Sequence, residues 1–223
     1  MATTYVITFG WTESAVLSPV VKHGLEEGDN IFLLIPLEFE DEKSKRSINN
    51  VKSFIKAHVR GVNVKEQRVP ITNFATAVKR IASILRTELE KERDVLVNLS
   101  GGMRALILET FIACMLLRGR FGTKISFTDV ELEGGQGSVR VPAIPFLFMD
   151  LLSKDDLALL EFLVKRGKAS LAELEIAVRK SRSTVYRKAL KLEKVGFLRI
   201  KRDRKKLIIS PEPHVTVLLS YYR

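Results

Sequence analysis

At 223 residues, 46% hydrophobic and 28% charged, the chain has the profile of a folded globular protein with room for two cores, of about 150 and 70 residues. Its 37 basic and 26 acidic residues are unevenly placed: residues 1–150 carry a net +1, residues 151–223 a net +10, and so concentrated an excess points to a polyanion partner. A single cysteine, Cys114, excludes an intrachain disulfide; His23, His58 and His214 are too scattered to predict a metal site; and the absence of a basic leader or a bilayer-long apolar run predicts a cytoplasmic protein without a membrane partner.

In chain order, Tyr5–Phe9 reads as a strand, and Ser14–Glu26 as a helix closed by Gly28. Ile31–Ile35 is a second strand stopped by Pro36, followed by a charged loop, Glu38–Arg46, and a helix near Ser47–Val59. Val62–Val69 is a third strand, and Asn73 starts a helix with Ala77, Ile81, Leu85 and Leu89 on one face. Val95–Leu99 is a fourth strand. The helix after it, Met103–Leu117, is apolar on most sides and is expected to be buried. Lys124–Glu131 and Ser138–Val141 read as two more strands joined across Gly134-Gly135-Gln136-Gly137. Strands alternating with helices predict an α/β Rossmann-like parallel sheet with helices on both faces.

Wound in the order 3-2-1-4, such a sheet opens a crevice at the carboxyl ends of strands one and four. Two loops would line it: Gly10-Trp11-Thr12, and Asn98-Leu99-Ser100-Gly101-Gly102-Met103-Arg104. In the second, the glycines admit close backbone approach, the helix N-terminus offers free amides, Ser100 adds a hydroxyl, and Arg104 brings a guanidinium suited to phosphate or to a base. Taken singly, Gly-Gly reads equally as a plain strand-to-helix turn, and Trp11 as a cap on the core. Together at one crevice they point to a phosphate-bearing ligand. There is no G-x-G-x-x-G after strand one, although Glu38 could mimic a ribose-binding carboxylate. With no G-x-x-x-x-G-K-[ST] and no Ser/His/Asp or Cys/His set either, an enzyme is not predicted.

Past the apolar segment from Ile144 to Leu152, Ser153 can cap a helix through Asp156, and Ser170-Leu171-Ala172-Glu173 is a capping box for a second. A third helix runs from Ser181 or Ser183 to Val195, with Val185, Ala189 and Leu192 inward, helped by Tyr186 and Leu190. A hairpin with a basic tip follows, and the three helices plus hairpin read as a winged helix-turn-helix. Ser181, Arg182, Ser183, Thr184, Tyr186 and Arg187 would lie nearest the bases, with Lys188 and Lys191 on the basic face, and Arg202, Arg204, Lys205 and Lys206 on phosphates of double-stranded DNA. A lysine-rich helix face can also be mere solvated surface, and some winged domains bind protein; a basic helix and a basic wing in one module favour nucleic acid. The expected boundaries are 1–143, a linker at 144–153, and 154–223.

The run Asn98–Arg104 after a buried strand resembles the second signature of the CARF domain, the CRISPR-associated Rossmann fold, and Gly10–Ser14 stands where that family has its first. With the winged helix behind it, the whole chain resembles archaeal CRISPR-associated transcription regulators. That resemblance implies a homodimer whose paired domains bind a cyclic oligoadenylate, most often the tetramer, through Gly10, Trp11, Thr12, Asn98 and Ser100–Arg104. It implies regulation of CRISPR loci or adaptation genes in antiviral defence. The rival readings are a ring nuclease or other nucleotide-dependent enzyme tethered to DNA, and a protein that coats DNA without regard to sequence.

Overall fold

Strand β1 (Thr3–Thr8) is buried on both faces, as a central parallel strand must be. After it come α1 (Ser14–His23), β2 (Asn30–Pro36), α2 (Glu42–His58), β3 (Asn63–Val69), α3 (Phe74–Glu90), β4 (Asp94–Asn98), α4 (Arg104–Phe121) and β5 (Ile125–Phe127). In the computed structural model, which describes residues 2–38, 41–132, 137–140, 152–203 and 206–221, these five strands form one parallel sheet in the order β3-β2-β1-β4-β5. The expected order 3-2-1-4 is the observed one. Tyr5, Ile7 and Phe9 join Ile31, Leu33 and Ile35 in a core with residues of α1 and α2. Thr4 and Asn30 face the other way, where both side chains donate to Glu88 of α3.

Four expectations change here. Helix α1 stops at His23, because Gly24 takes φ 79° and turns the chain well before Gly28. The charged loop is shorter than expected: Asp41 accepts from the amide of Ser44 and so starts α2 at Glu42. The stretch Lys124–Glu131 is two strands rather than one. It breaks at Thr128, and β6 (Asp129–Glu131) pairs antiparallel with β7 (Ser138–Arg140), apart from the main sheet. Finally, α4 is not buried all round: Leu108 and Leu116 are 62% and 54% exposed. Gly134-Gly135-Gln136 lie outside the described residues.

Two compact units emerge, residues 1–117 with 124–141, and residues 118–123 with 142–223. The second holds α5 (Lys154–Arg166), β8 (Ala169–Ser170), α6 (Leu171–Val178), α7 (Arg182–Lys194), β9 (Leu198–Asp203), β10 (Lys206–Pro211) and α8 (Val215–Tyr221). Helices α5 and α6 open on full capping boxes, Ser153 with Asp156 and Ser170 with Glu173, each pairing two otherwise orphan amides. Leu159, Leu160, Leu163, Leu174, Val185, Ala189, Leu192 and Phe197 build one core beneath the three-stranded sheet β8-β10-β9. This is a winged helix-turn-helix, with α7 in the recognition position and β9–β10 as the wing. Tyr186 and Leu190 depart from expectation: they are 39% and 41% exposed, on the outer side of α7. Residues 144–151 of the expected linker, and Arg204 and Lys205, expected on the wing, lie outside the described residues.

Candidate ligand cleft and nucleic-acid interface

A cleft of about 850 Å³ opens at the carboxyl ends of β1 and β4. It is lined by Phe9, Gly10, Trp11 and Thr12, by Ile35, Pro36, Glu38, Asp41 and Ser44, and by Ser100 to Ala105. Eight of the nine residues expected there line it: Gly10, Trp11, Thr12, Ser100, Gly101, Gly102, Met103 and Arg104.

Its floor is made where the two loops touch, backbone to backbone. A Cβ on Gly10 would stand 3.0 Å from the Gly102 nitrogen; one on Gly101 would meet the Thr8 carbonyl at 2.9 Å and the Ala15 methyl at 2.8 Å. Gly102 has φ +90°, a conformation glycine alone adopts cheaply. The missing side chains thus make room for the neighbouring loop, not for a ligand. What the turn offers the cleft is its amides: neither Gly102 nor Met103 donates a hydrogen bond among the described residues, and α4 starts at Arg104 with its own first amides open.

Asn98 is the exception to the expected set. Buried at the end of β4, it donates to the Thr128 hydroxyl (2.7 Å) and accepts from the Ser100 amide (2.9 Å). It shapes the turn instead of lining the cleft. The Ser100 hydroxyl accepts from the Glu131 amide at 3.1 Å, which leaves its own hydrogen to donate.

The rim is strapped down from α2 and from the turn before α3. Trp11, 60% exposed, donates through Nε1 to Asp41 (2.8 Å), its carbonyl accepts from Ser47 (2.7 Å), and Lys43 sits 5.3 Å from its ring centroid. Asn50 donates to Glu13 at 2.9 Å. The Ser44 amide, and then the Trp11 indole, hold the Asp41 carboxyl below the usual carboxylate range. Glu38 is committed as well. It accepts from the Ile71 amide and from the Thr72 amide and hydroxyl, and although desolvation opposes its charge, these bonds outweigh that and lower its pKa. With those bonds made, Glu38 fastens two loops and is not poised as a ribose reader. Asp41, Ser44, Ser47 and Asn50 escaped the sequence reading; the spacing Asp41-x-x-Ser44 was the available signal. On α4, Glu109 is buried, and its Oε2 has no hydrogen-bond partner among the described residues. Burial first, and then the nearby Glu38, push its pKa up.

In the second unit, Arg182, Ser183, Tyr186, Arg187 and Lys191 are exposed on α7, as is Ser181 just before it, and Thr184 is half-buried; Arg202 and Lys206 are exposed on the wing. Ser181 stands at the N-cap position without capping α7, and its hydroxyl meets those of Ser183 (3.2 Å) and Thr184 (2.9 Å). Lys188 departs from the expected set. Its ammonium lies 3.0 Å from Asp156, 3.1 Å from the Ser153 hydroxyl and 3.8 Å from Asp155. Among the described residues no cluster of three or more His, Cys, Asp or Glu could hold a metal ion, and no helix is long and apolar enough to cross a membrane.

The chain is similar to known proteins at three levels. Residues 3–142 match the family described as the Csa3 CRISPR-associated Rossmann-like domain. Over 209 residues, 90% of this chain and 82% of the relative, it is 25% identical to the CRISPR locus-related protein Csa3 of Saccharolobus solfataricus, whose name carries DNA binding as an expectation. Among solved structures, it is similar to VC1899 of Vibrio cholerae (11% identity, 99% of this chain and 65% of that one, TM-score 0.46). It is also similar to Can2 of Sulfobacillus thermosulfidooxidans, solved with cyclic tetra-adenylate (10%, 98% and 62%, TM-score 0.42). The BpsR regulator of Bordetella bronchiseptica matches 31% of this chain and 51% of its own length, at 21% identity and TM-score 0.30. This chain therefore spans less than two thirds of each of these three structures, and all three likenesses are loose. The family match needs no help from them, since it takes in every strand of the parallel sheet and both glycine loops: the chain belongs to the Csa3 family, and its first domain is that family's CRISPR-associated Rossmann-like domain.

Proposed function

We propose that this protein is a dimeric transcription regulator of CRISPR loci or their adaptation genes, whose grip on duplex DNA changes when a cyclic oligoadenylate, the tetramer foremost, occupies the cleft. One observation carries the ligand half: two loops interlocked through glycines present unpaired amides, the Ser100 hydroxyl and Arg104 to a single cleft rimmed by an exposed tryptophan. Amides at a helix start and a guanidinium suit phosphates, and an indole suits a base. The relatives named for DNA binding and for a cyclic tetra-adenylate complex support the same reading. For DNA, the support is the basic outer face of α7 beside a basic wing: phosphate contacts position such a module, and residues at the N-terminal end of α7 read bases.

The exposed apolar stripe Leu108, Ile112 and Leu116 on α4 supports a twofold partner, since contiguous apolar surface marks association. In a dimer, two α7 helices must fit half-sites about 34 Å apart, so a small ligand-driven rotation suffices to change affinity. The deciding experiment measures the affinity of the full chain for a duplex selected from a random-sequence pool, with and without cyclic tetra-adenylate. We expect at least a tenfold change. Equal affinities would refute switching, and turnover of labelled cyclic tetra-adenylate by the purified protein would move the protein to the enzyme reading.

A further inference from the structure

Lys188 lies on the recognition helix, yet its charge is already neutralised inside the domain. Asp156 is 2% exposed, and its two oxygens are divided: Oδ2 accepts from the Ser153 amide (3.0 Å) and hydroxyl (2.6 Å), while Oδ1 faces the Lys188 ammonium at 3.0 Å. A second lysine reaches the same turn, Lys180 standing 3.3 Å from Asp155 just before α7 begins. Two cations, one on α7 and one on its approach, therefore converge on two adjacent acids in the first turn of α5. A buried carboxylate so engaged holds its lysine firmly, because separating them would strand a charge away from water. Burial opposes the charge of Asp156, but the bonds from Ser153 and Lys188 outweigh it and keep its pKa low.

We infer that Asp156 is a positioning residue for DNA recognition: through Lys188 it fixes the rotation of α7 about its own axis, and it withdraws Lys188 from phosphate binding. This rests on the DNA-binding reading above. The apolar side chains Val185, Ala189 and Leu192 seat the helix but permit small rolls, since such contacts carry no direction. An ion pair with three hydrogen-bonded atoms does carry direction. A roll of α7 would swing Ser183, Tyr186 and Arg187 together relative to a groove and so alter which bases they meet.

The test uses the full-length double variant D156N/K188M, in which neither partner leaves the other as an unpaired buried charge, and compares it with Lys191→Met. Affinity is measured against salt for a duplex selected by the wild-type chain and for a random-sequence duplex of equal length, at matched melting temperature. The double variant is expected to keep the wild-type salt slope but lose about tenfold in selected-over-random preference. Lys191→Met is expected to lower the slope by about 0.9 and leave the preference nearly intact. A slope reduced in the double variant as in Lys191→Met would place Lys188 on a phosphate and overturn the inference, and an unchanged preference would reduce the pair to packing. If the wild-type chain shows no salt-dependent affinity for either duplex, the DNA-binding reading itself fails and takes this inference with it.

Discussion

A Cβ built on Gly10 would lie 3.0 Å from the amide nitrogen of Gly102, so two loops separated by some ninety residues in sequence meet with no side chain between them. Gly102→Ala meets two obstacles, φ +90° and the Phe9 carbonyl at 3.1 Å from the added methyl. It is expected to destabilise the first domain by about 1–3 kcal/mol and to abolish cyclic tetra-adenylate binding. Thermal unfolding and calorimetric titration check the two effects separately, and an alanine variant that melts and binds as wild type would contradict the interlocked floor.

Trp11 is the chain's single tryptophan, so its emission reports on the cleft rim alone. Cyclic tetra-adenylate is expected to quench it, with a midpoint matching the calorimetric affinity. Trp11→Ala should weaken binding by about ten- to a hundredfold, the usual loss of one base-stacking partner. Saturable binding with unchanged emission would place the ligand elsewhere.

Glu109 makes a pH prediction. Above about pH 4.3, where a free glutamate loses its proton, the unfolded chain ionises while the folded one, its pKa raised by burial, still holds the proton. The folded state then binds more protons, and stability falls with rising pH until the folded pKa is passed. Glu109→Gln removes this dependence. It should be about 1–2 kcal/mol more stable than wild type at pH 8 and no more stable near pH 4, as read from urea unfolding. An equal benefit at both pH values would show that packing, not ionisation, sets the difference.

Helix α4 exposes Leu108, Ile112 and Leu116 at successive helical turns. If the proposed twofold partner docks on this face, Ile112→Glu is expected to leave the chain monomeric by light scattering where the wild type is dimeric, with little change in melting of the isolated chain. A wild-type chain that is monomeric at tens of micromolar would remove this face from the proposal.

Much of this architecture was readable because its causes are local. The continuous apolar runs of β1 and β2 announce parallel strands covered on both faces, and Ser153 with Asp156 and Ser170 with Glu173 announce helix starts within four residues. What escaped depends on partners distant in sequence. Nothing near Asn98 foretells that Thr128 takes its side chain, and nothing near Lys188 foretells that Asp156, thirty-two residues earlier, takes its charge. On α4, residue types alone did not separate apolar faces turned to the sheet from those turned outward. Asp41 was hidden in a different way: a run of charges looked like loop, although its Ser44 spacing is that of a cap.

Strand β3 ends the parallel sheet with Lys65, Glu66 and Arg68 among its seven residues, and Glu66 is paired to Lys52 at 2.5 Å and to Arg68 at 3.5 Å. A foreign strand seeking to lengthen the sheet there would have to dehydrate and break that ionic hem before gaining its first ladder bond. High protein concentration should therefore not drive these chains into fibrils or amorphous clumps along this margin, and contact between copies is left to surfaces that carry no such fringe.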